Sequence, residues 1–404
     1  MADDVAAILL RFGFAIFAVV VPSAALLSRW VIVVLVPLGA VLIILASLLR
    51  TDQRRLTDRA IGQIVSEAGL VCVLLAVWAF ASLIWTPAPK DAIEKLFKMI
   101  GVVALGFFAV TALPSRMRAT NLHLVTIGVA LGALLILIAS LSAMLGQAVL
   151  TFPAATPDRV VVLLTILGWI GAAWMMIKNR PSLAVGLMLL VIAAILFGPT
   201  RAGSVPLVVS MLALALAWNN PERAGRWLGW IGAGVILLAP LLAIALHLAG
   251  VKFAGPWWAV ITADPIRSLT GHGFDASNTA RATGLAHASA PVSLISDLWY
   301  DLGLLGALFL ALAIRFAFLA IGKMGLEVAP SALAALAAAT SFALIDRNAT
   351  QTWWFNGLVV FAIVLTSVDR GRYRTVRPRA SLGSGQTDVA PVDPNAGSIP
   401  APRA

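Results

Sequence analysis

The chain has only four histidines, and two of them, His272 and His287, fall in one segment rich in other reactive side chains. Gly271-His272-Gly273-Phe274-Asp275 reads as a tight turn that holds an imidazole between glycines. Arg267 precedes it, and Arg281 and His287 follow. An imidazole titrates near neutrality, so His272 or His287 is a candidate general base; as exposed loop residues without a partner they would do no chemistry. A second candidate is Gly198-Pro199-Thr200-Arg201-Ala202-Gly203, where a guanidinium stands at a turn just before a helix that opens at Ser204. A guanidinium beside a helix N-terminus suits phosphate or diphosphate. The competing role for Arg201 is a snorkelling anchor at a helix end. Third, Asp297 and Asp301 are four residues apart, on one face of a helix. They can orient a base or an acceptor hydroxyl, or simply complement the helix macrodipole. Gly303 and Gly306 follow and permit close helix contact.

Other chemistries are missing from the sequence. There is no Gly-rich phosphate loop with a lysine and no metal-ligand spacing, so neither a metal nor a cofactor is expected. The single cysteine, Cys72, rules out a disulfide framework. Paired charges in mid-membrane, the mark of an ion-coupled transporter, are not evident.

The elements that must position these residues are membrane spans. Hydrophobic residues make up 61% of the chain and charged ones 12%, and the mean hydropathy is +0.97. Soluble domains average about 45–50% apolar residues, so the excess needs lipid as its second solvent. Apolar segments near the length of about 20 residues that crosses a bilayer recur along the chain. They lie at roughly 6–27, 30–49, 68–86, 96–113, 123–145, 159–177, 182–198, 203–218, 228–250, 294–321, 329–345 and 354–368. The expected fold is therefore all-α and polytopic, with about twelve transmembrane helices over residues 1–368. The first stretch lacks a basic leader and reads as a retained span.

The net charge of +11 points to topology and not to nucleic acid. With the N-terminus in the cytoplasm, the inner loops hold Arg50, Arg54, Arg55, Arg59, Arg116, Arg118, Lys178, Arg180, Arg223, Arg226 and Lys323. The tail adds Arg370, Arg372 and further arginines, and the outer segments hold fewer basic residues. That bias places both termini in the cytoplasm. Residues 51–67 read as an amphipathic helix on the cytoplasmic surface, with Leu56, Ile61 and Ile64 toward lipid. Residues 369–404 read as a disordered basic tail. The longest connection, 251–293, falls outside, carries Trp257 and Trp258, and is too long for plain linker.

Taken in order, three stretches make the chain resemble the O-antigen ligase and O-antigen polymerase superfamily of membrane glycan transferases. They are Leu83-Ile84-Trp85-Thr86-Pro87-Ala88-Pro89 with Ala92; Thr200-Arg201-Ala202-Gly203; and the long loop with its Gly-His-Gly-Phe turn, followed by the helix that carries Asp301 to Gly306. The resemblance covers most of the chain and implies a GT-C-like architecture with a large periplasmic loop, in the bacterial inner membrane. It also implies a metal-independent glycosyltransferase. The donor would be a polyprenyl-diphosphate-linked glycan, and the acceptor a hydroxyl of the lipid A core in a ligase or another lipid-linked glycan in a polymerase. Arg201, Arg267 and Arg281 would bind the diphosphate, His287 or else His272 would be the base, and Asp301 a supporting carboxylate. Two positions depart from the family pattern. Val292, followed by Ser293, stands where ligases carry a histidine, and Gly255 is followed by Pro256 and Trp257 where an arginine is usual. His287 and either Arg267 or Arg281 would then take those places. A lipid or glycan transporter is the alternative from another class.

Overall fold

The computed structural model describes residues 2–50, 53–115, 117, 119–146, 156–200, 202–249, 265–284, 293–345 and 351–372. Every regular element among them is helical. Caps set the helix starts. Ser28, Ser66 and Asn220 each accept a backbone N–H of the turn that follows, and Pro89, Pro181 and Pro221 open helices where a missing N–H costs nothing.

Seven of the described helices are long and apolar enough to cross a membrane, or nine if each of two bent pairs counts as one span. This lowers the expected figure of about twelve. The other three expected spans, Pro181–Phe197, Ser204–Ala217 and Ala329–Ile345, are helical but have 17 residues or fewer. A 17-residue helix is about 26 Å long, short of a hydrocarbon core of about 30 Å. The first two turn Leu183, Leu189, Val208 and Leu212 outward. Ala329–Ile345 is buried along nearly its whole length, which suits its run of alanines. The architecture is a multi-pass, all-α bundle with an apolar exterior.

Thr156–Ile177 lies at the centre, with 89% of its apolar stretch buried, against 28% for Leu294–Gly322. Its Trp174 is fully buried. Leu294–Gly322 packs most extensively against Pro221–Leu237. Glycines allow that approach: a Cβ on Gly225 would stand 2.7 Å from the Phe318 carbonyl oxygen, and one on Gly229 3.2 Å from that of Arg315. The Arg315 guanidinium stacks over the Trp230 ring at 4.3 Å.

At one end of the bundle, Arg50 donates to the Asp3 carbonyl at 2.7 Å and Arg370 donates to the Leu113 carbonyl at 2.5 Å. The amphipathic segment forms the helix Gln53–Ile64, which leaves Ile61 and Ile64 exposed. It meets the following helix, Glu67–Ser82, at 73°, the geometry of a surface helix turning into a span.

Candidate functional site

The other end of the bundle holds the described part of the long connection, 265–284, docked against a kink. Gly303 interrupts Leu294–Gly322 with φ 64° and ψ −161°. In an unbroken helix the carbonyls just before it would accept from N–H groups four residues further on. Here other segments supply the donors. His272 N–H donates to Tyr300 O at 2.9 Å, Gly273 N–H to Asp301 O at 2.9 Å, and Trp78 Nε1–H to Leu302 O at 3.0 Å. Gly303 permits close helix contact, as the sequence suggested, but with the short helix Pro265–Thr270 and the turn after it. A Cβ there would stand 2.5 Å from Gly271 N and from Leu269 O, so the glycine makes room for the loop.

The turn itself is clasped from both sides. Phe274 N–H donates to Ser82 Oγ at 3.1 Å, and Thr86 Oγ1–H donates to Phe274 O at 2.7 Å. Asp301 is buried, and its carboxylate caps the short helix Ala276–Ala282. It accepts from Asp275 N–H at 3.1 Å, Ser277 N–H at 2.7 Å and Ser277 Oγ–H at 3.2 Å. Those bonds explain how Asp275 holds a left-handed backbone at φ 64°. From Asp275 a polar chain runs outward. Lys95 Nζ and Asn278 Nδ2 both donate to Asp275 Oδ1, at 2.5 and 2.6 Å. Arg281 donates to Asn278 Oδ1 at 3.0 Å and pairs with Asp297 Oδ1. Asp297 Oδ2 is buried and has no hydrogen-bond partner among the described residues. The Lys95 and Arg281 side chains each remain 26% exposed, so the cluster shows solvent its cations more than its carboxylates.

His272 lies flat on Tyr300, ring centroids 4.2 Å apart and planes 9° from parallel. Its Nδ1 is 3.1 Å from the Tyr300 carbonyl oxygen. A carbonyl can only accept, so Nδ1 carries the proton and, in the neutral ring, Nε2 carries the lone pair. Arg267 lies one turn before the loop in Pro265–Thr270, half-buried, and its carbonyl accepts from Gly271 N–H at 2.7 Å.

Of the sequence candidates, His272, Arg281 and Asp301 thus belong to one cluster, with Arg267 on the adjoining turn. Arg201, His287, Val292, Pro256 and Trp257 lie outside the described residues. Ser293, beside Val292, is the N-cap of Leu294–Gly322, in a capping box with Ser296. Sequence reasoning passed over Ser82, Trp78, Asn278 and Lys95. Lys95 alone left a signal, as a cation near an apolar stretch. Among the described residues no group of three or more His, Cys, Asp or Glu is placed to hold a metal ion.

The chain matches no family model, no curated protein and no solved structure.

Proposed function

We propose that this protein is an O-antigen ligase-like glycosyltransferase. It would move a glycan from polyprenyl diphosphate to a hydroxyl of the lipid A core at the outer face of the bacterial inner membrane. One observation carries the reading. The Trp85-Thr86 turn, the Gly-His-Gly-Phe turn and the Asp301–Gly303 stretch, which are far apart in the chain, are joined by hydrogen bonds into a single cluster edged by Lys95 and Arg281. The acceptor oxygen attacks the anomeric carbon and forms the new C–O bond. The bond from that carbon to the diphosphate oxygen breaks, and the diphosphate leaves on its lipid. Arg281, with Arg267 and Arg201, stabilises the charge that develops on the leaving group. His272 Nε2 takes the acceptor proton in the tautomer that the Tyr300 carbonyl selects. The roles of Arg201 and His287 rest on sequence alone. The GT-C-like, twelve-crossing arrangement with cytoplasmic termini belongs to the same proposal, with the three short helices as thin spans.

Val292 favours a second reading, an O-antigen or exopolysaccharide polymerase, because ligases carry a histidine in that slot. Glycan laddering of a deletion strain separates the two. Loss of a ligase leaves core lipid bare while lipid-linked chains stay long, and loss of a polymerase leaves single repeat units. A ladder unchanged by deletion sinks both.

A further inference from the structure

We propose that the opposite end of the bundle holds a binding site for an anionic phospholipid headgroup, independent of the transfer site. A cavity of about 270 Å³ opens there between the N-terminal helix, the helix Arg29–Leu48, the end of Pro89–Ala112 and the surface helix Gln53–Ile64. Its lining is mixed: Leu10, Ile43, Ala46 and Leu113 are apolar, and Arg50, Arg59, Ser47 and Ser115 are polar. Apolar side chains beside two guanidiniums match a glycerophospholipid, whose phosphate meets the guanidiniums while its acyl chains continue along the exposed apolar helix faces.

Two guanidiniums, Arg50 and Arg59, line the cavity, and Arg370 binds the carbonyl of Leu113, which also lines it. Among the described residues, Asp3, 88% exposed, stands 3.8 Å from Arg50, and Asp369 stands 3.2 Å from Arg372. An exposed pair such as Asp3–Arg50 contributes little in water. Arg50, just past the end of Arg29–Leu48, and Arg59, in Gln53–Ile64, therefore face one recess, and a phosphate diester between them would meet two guanidiniums. Positive loops alone would scatter arginines along the surface. Here the surface helix is turned so that Arg59 faces the same recess as Arg50.

The test is native mass spectrometry of the purified full chain titrated with phosphatidylglycerol, phosphatidylcholine or inorganic phosphate. Phosphatidylglycerol should bind more tightly than phosphatidylcholine. Arg59→Gln should weaken it about fivefold, and Arg50→Gln with Arg59→Gln about twenty-five-fold, from the contribution of each basic side chain to an anionic lipid. Arg59→Lys should keep most of the binding, and Arg226→Gln, in the helix Pro221–Leu237 and not in the cavity lining, should leave it unchanged. Equal binding of the two lipids, or an equal loss in Arg226→Gln, overturns the site. Displacement of bound phosphatidylglycerol by inorganic phosphate makes the free anion the occupant and overturns the lipid. A variant whose thermal unfolding differs from the parent is replaced by Arg59→Lys compared with Arg59→Met, which keep the long side chain; equal affinity in that pair also overturns the proposal.

Discussion

Asp301 and His272 show how one side chain divides its duties. The Asp301 carboxylate receives three donors from the loop, so its first task is to hold the loop in place. Asp301→Asn keeps the shape but sets an NH2 group against donors. That should loosen the loop by about 1–3 kcal/mol and raise hydrogen exchange across 271–282 about tenfold or more; unchanged exchange would remove the capping role. His272→Gln leaves the backbone donor to Tyr300 O intact. If His272 is the base, transfer should fall about 10²–10⁴-fold with no loss of protein, and a variant that keeps its rate ends that assignment. Arg281 needs a double substitution. Arg281→Ala alone strands the buried Asp297 carboxylate and should cost about 3–5 kcal/mol. Adding Asp297→Ala should restore most of the Tm in detergent while transfer stays lost. Recovery of transfer together with stability would make the arginine structural only.

At the scale of elements, the helices were legible and their interruptions were not. Each of the expected apolar segments is helical, because length and apolar composition were enough to locate it. Whether a helix spans was harder to read. Ala329–Ile345 has the hydropathy of a lipid-facing span, yet it lies buried among its neighbours, and nothing within the segment distinguishes those two solvents. The kink at Gly303 was also hidden. A glycine beside apolar residues looks like a helix-packing position, and only the loop arriving from 271–273 shows that it is a break. Likewise Asp297 and Asp301 share a face, as their spacing required, but their partners come from distant segments that local pattern cannot pair. Gly303→Ala tests the break directly. A Cβ at φ 64° is strained and collides with Gly271 N and Leu269 O, so the substitution should cost about 2–5 kcal/mol. Limited proteolysis should then cut within 265–284 more readily, and an unchanged cleavage rate would mean that the loop docks without the break.

For the whole molecule, the two ends are chemically distinct. One carries the arginines around Asp3 and Leu113, the other the docked loop. The proposed orientation predicts that Gly284→Cys, in a Cys72→Ser background, reacts with a membrane-impermeant maleimide added outside intact spheroplasts. Arg226→Cys should react only after lysis, and the reverse pattern would invert the topology. The clasp around the kink also has a timetable. Trp78, which caps the Leu302 carbonyl, is separated from it by 224 residues, and the loop held between them is made before the helix that receives it. At a synthesis rate of about 5–20 residues per second, roughly 10–45 s pass between the two halves leaving the ribosome. Trp78 waits through that interval for its partner, whereas the loop, made only some 28 residues before the carbonyls that receive it, waits roughly a few seconds at the same rate. Quality control of this protein would therefore turn on whether its late helices insert before the early half of the clasp, around Trp78, is recognised as unpartnered.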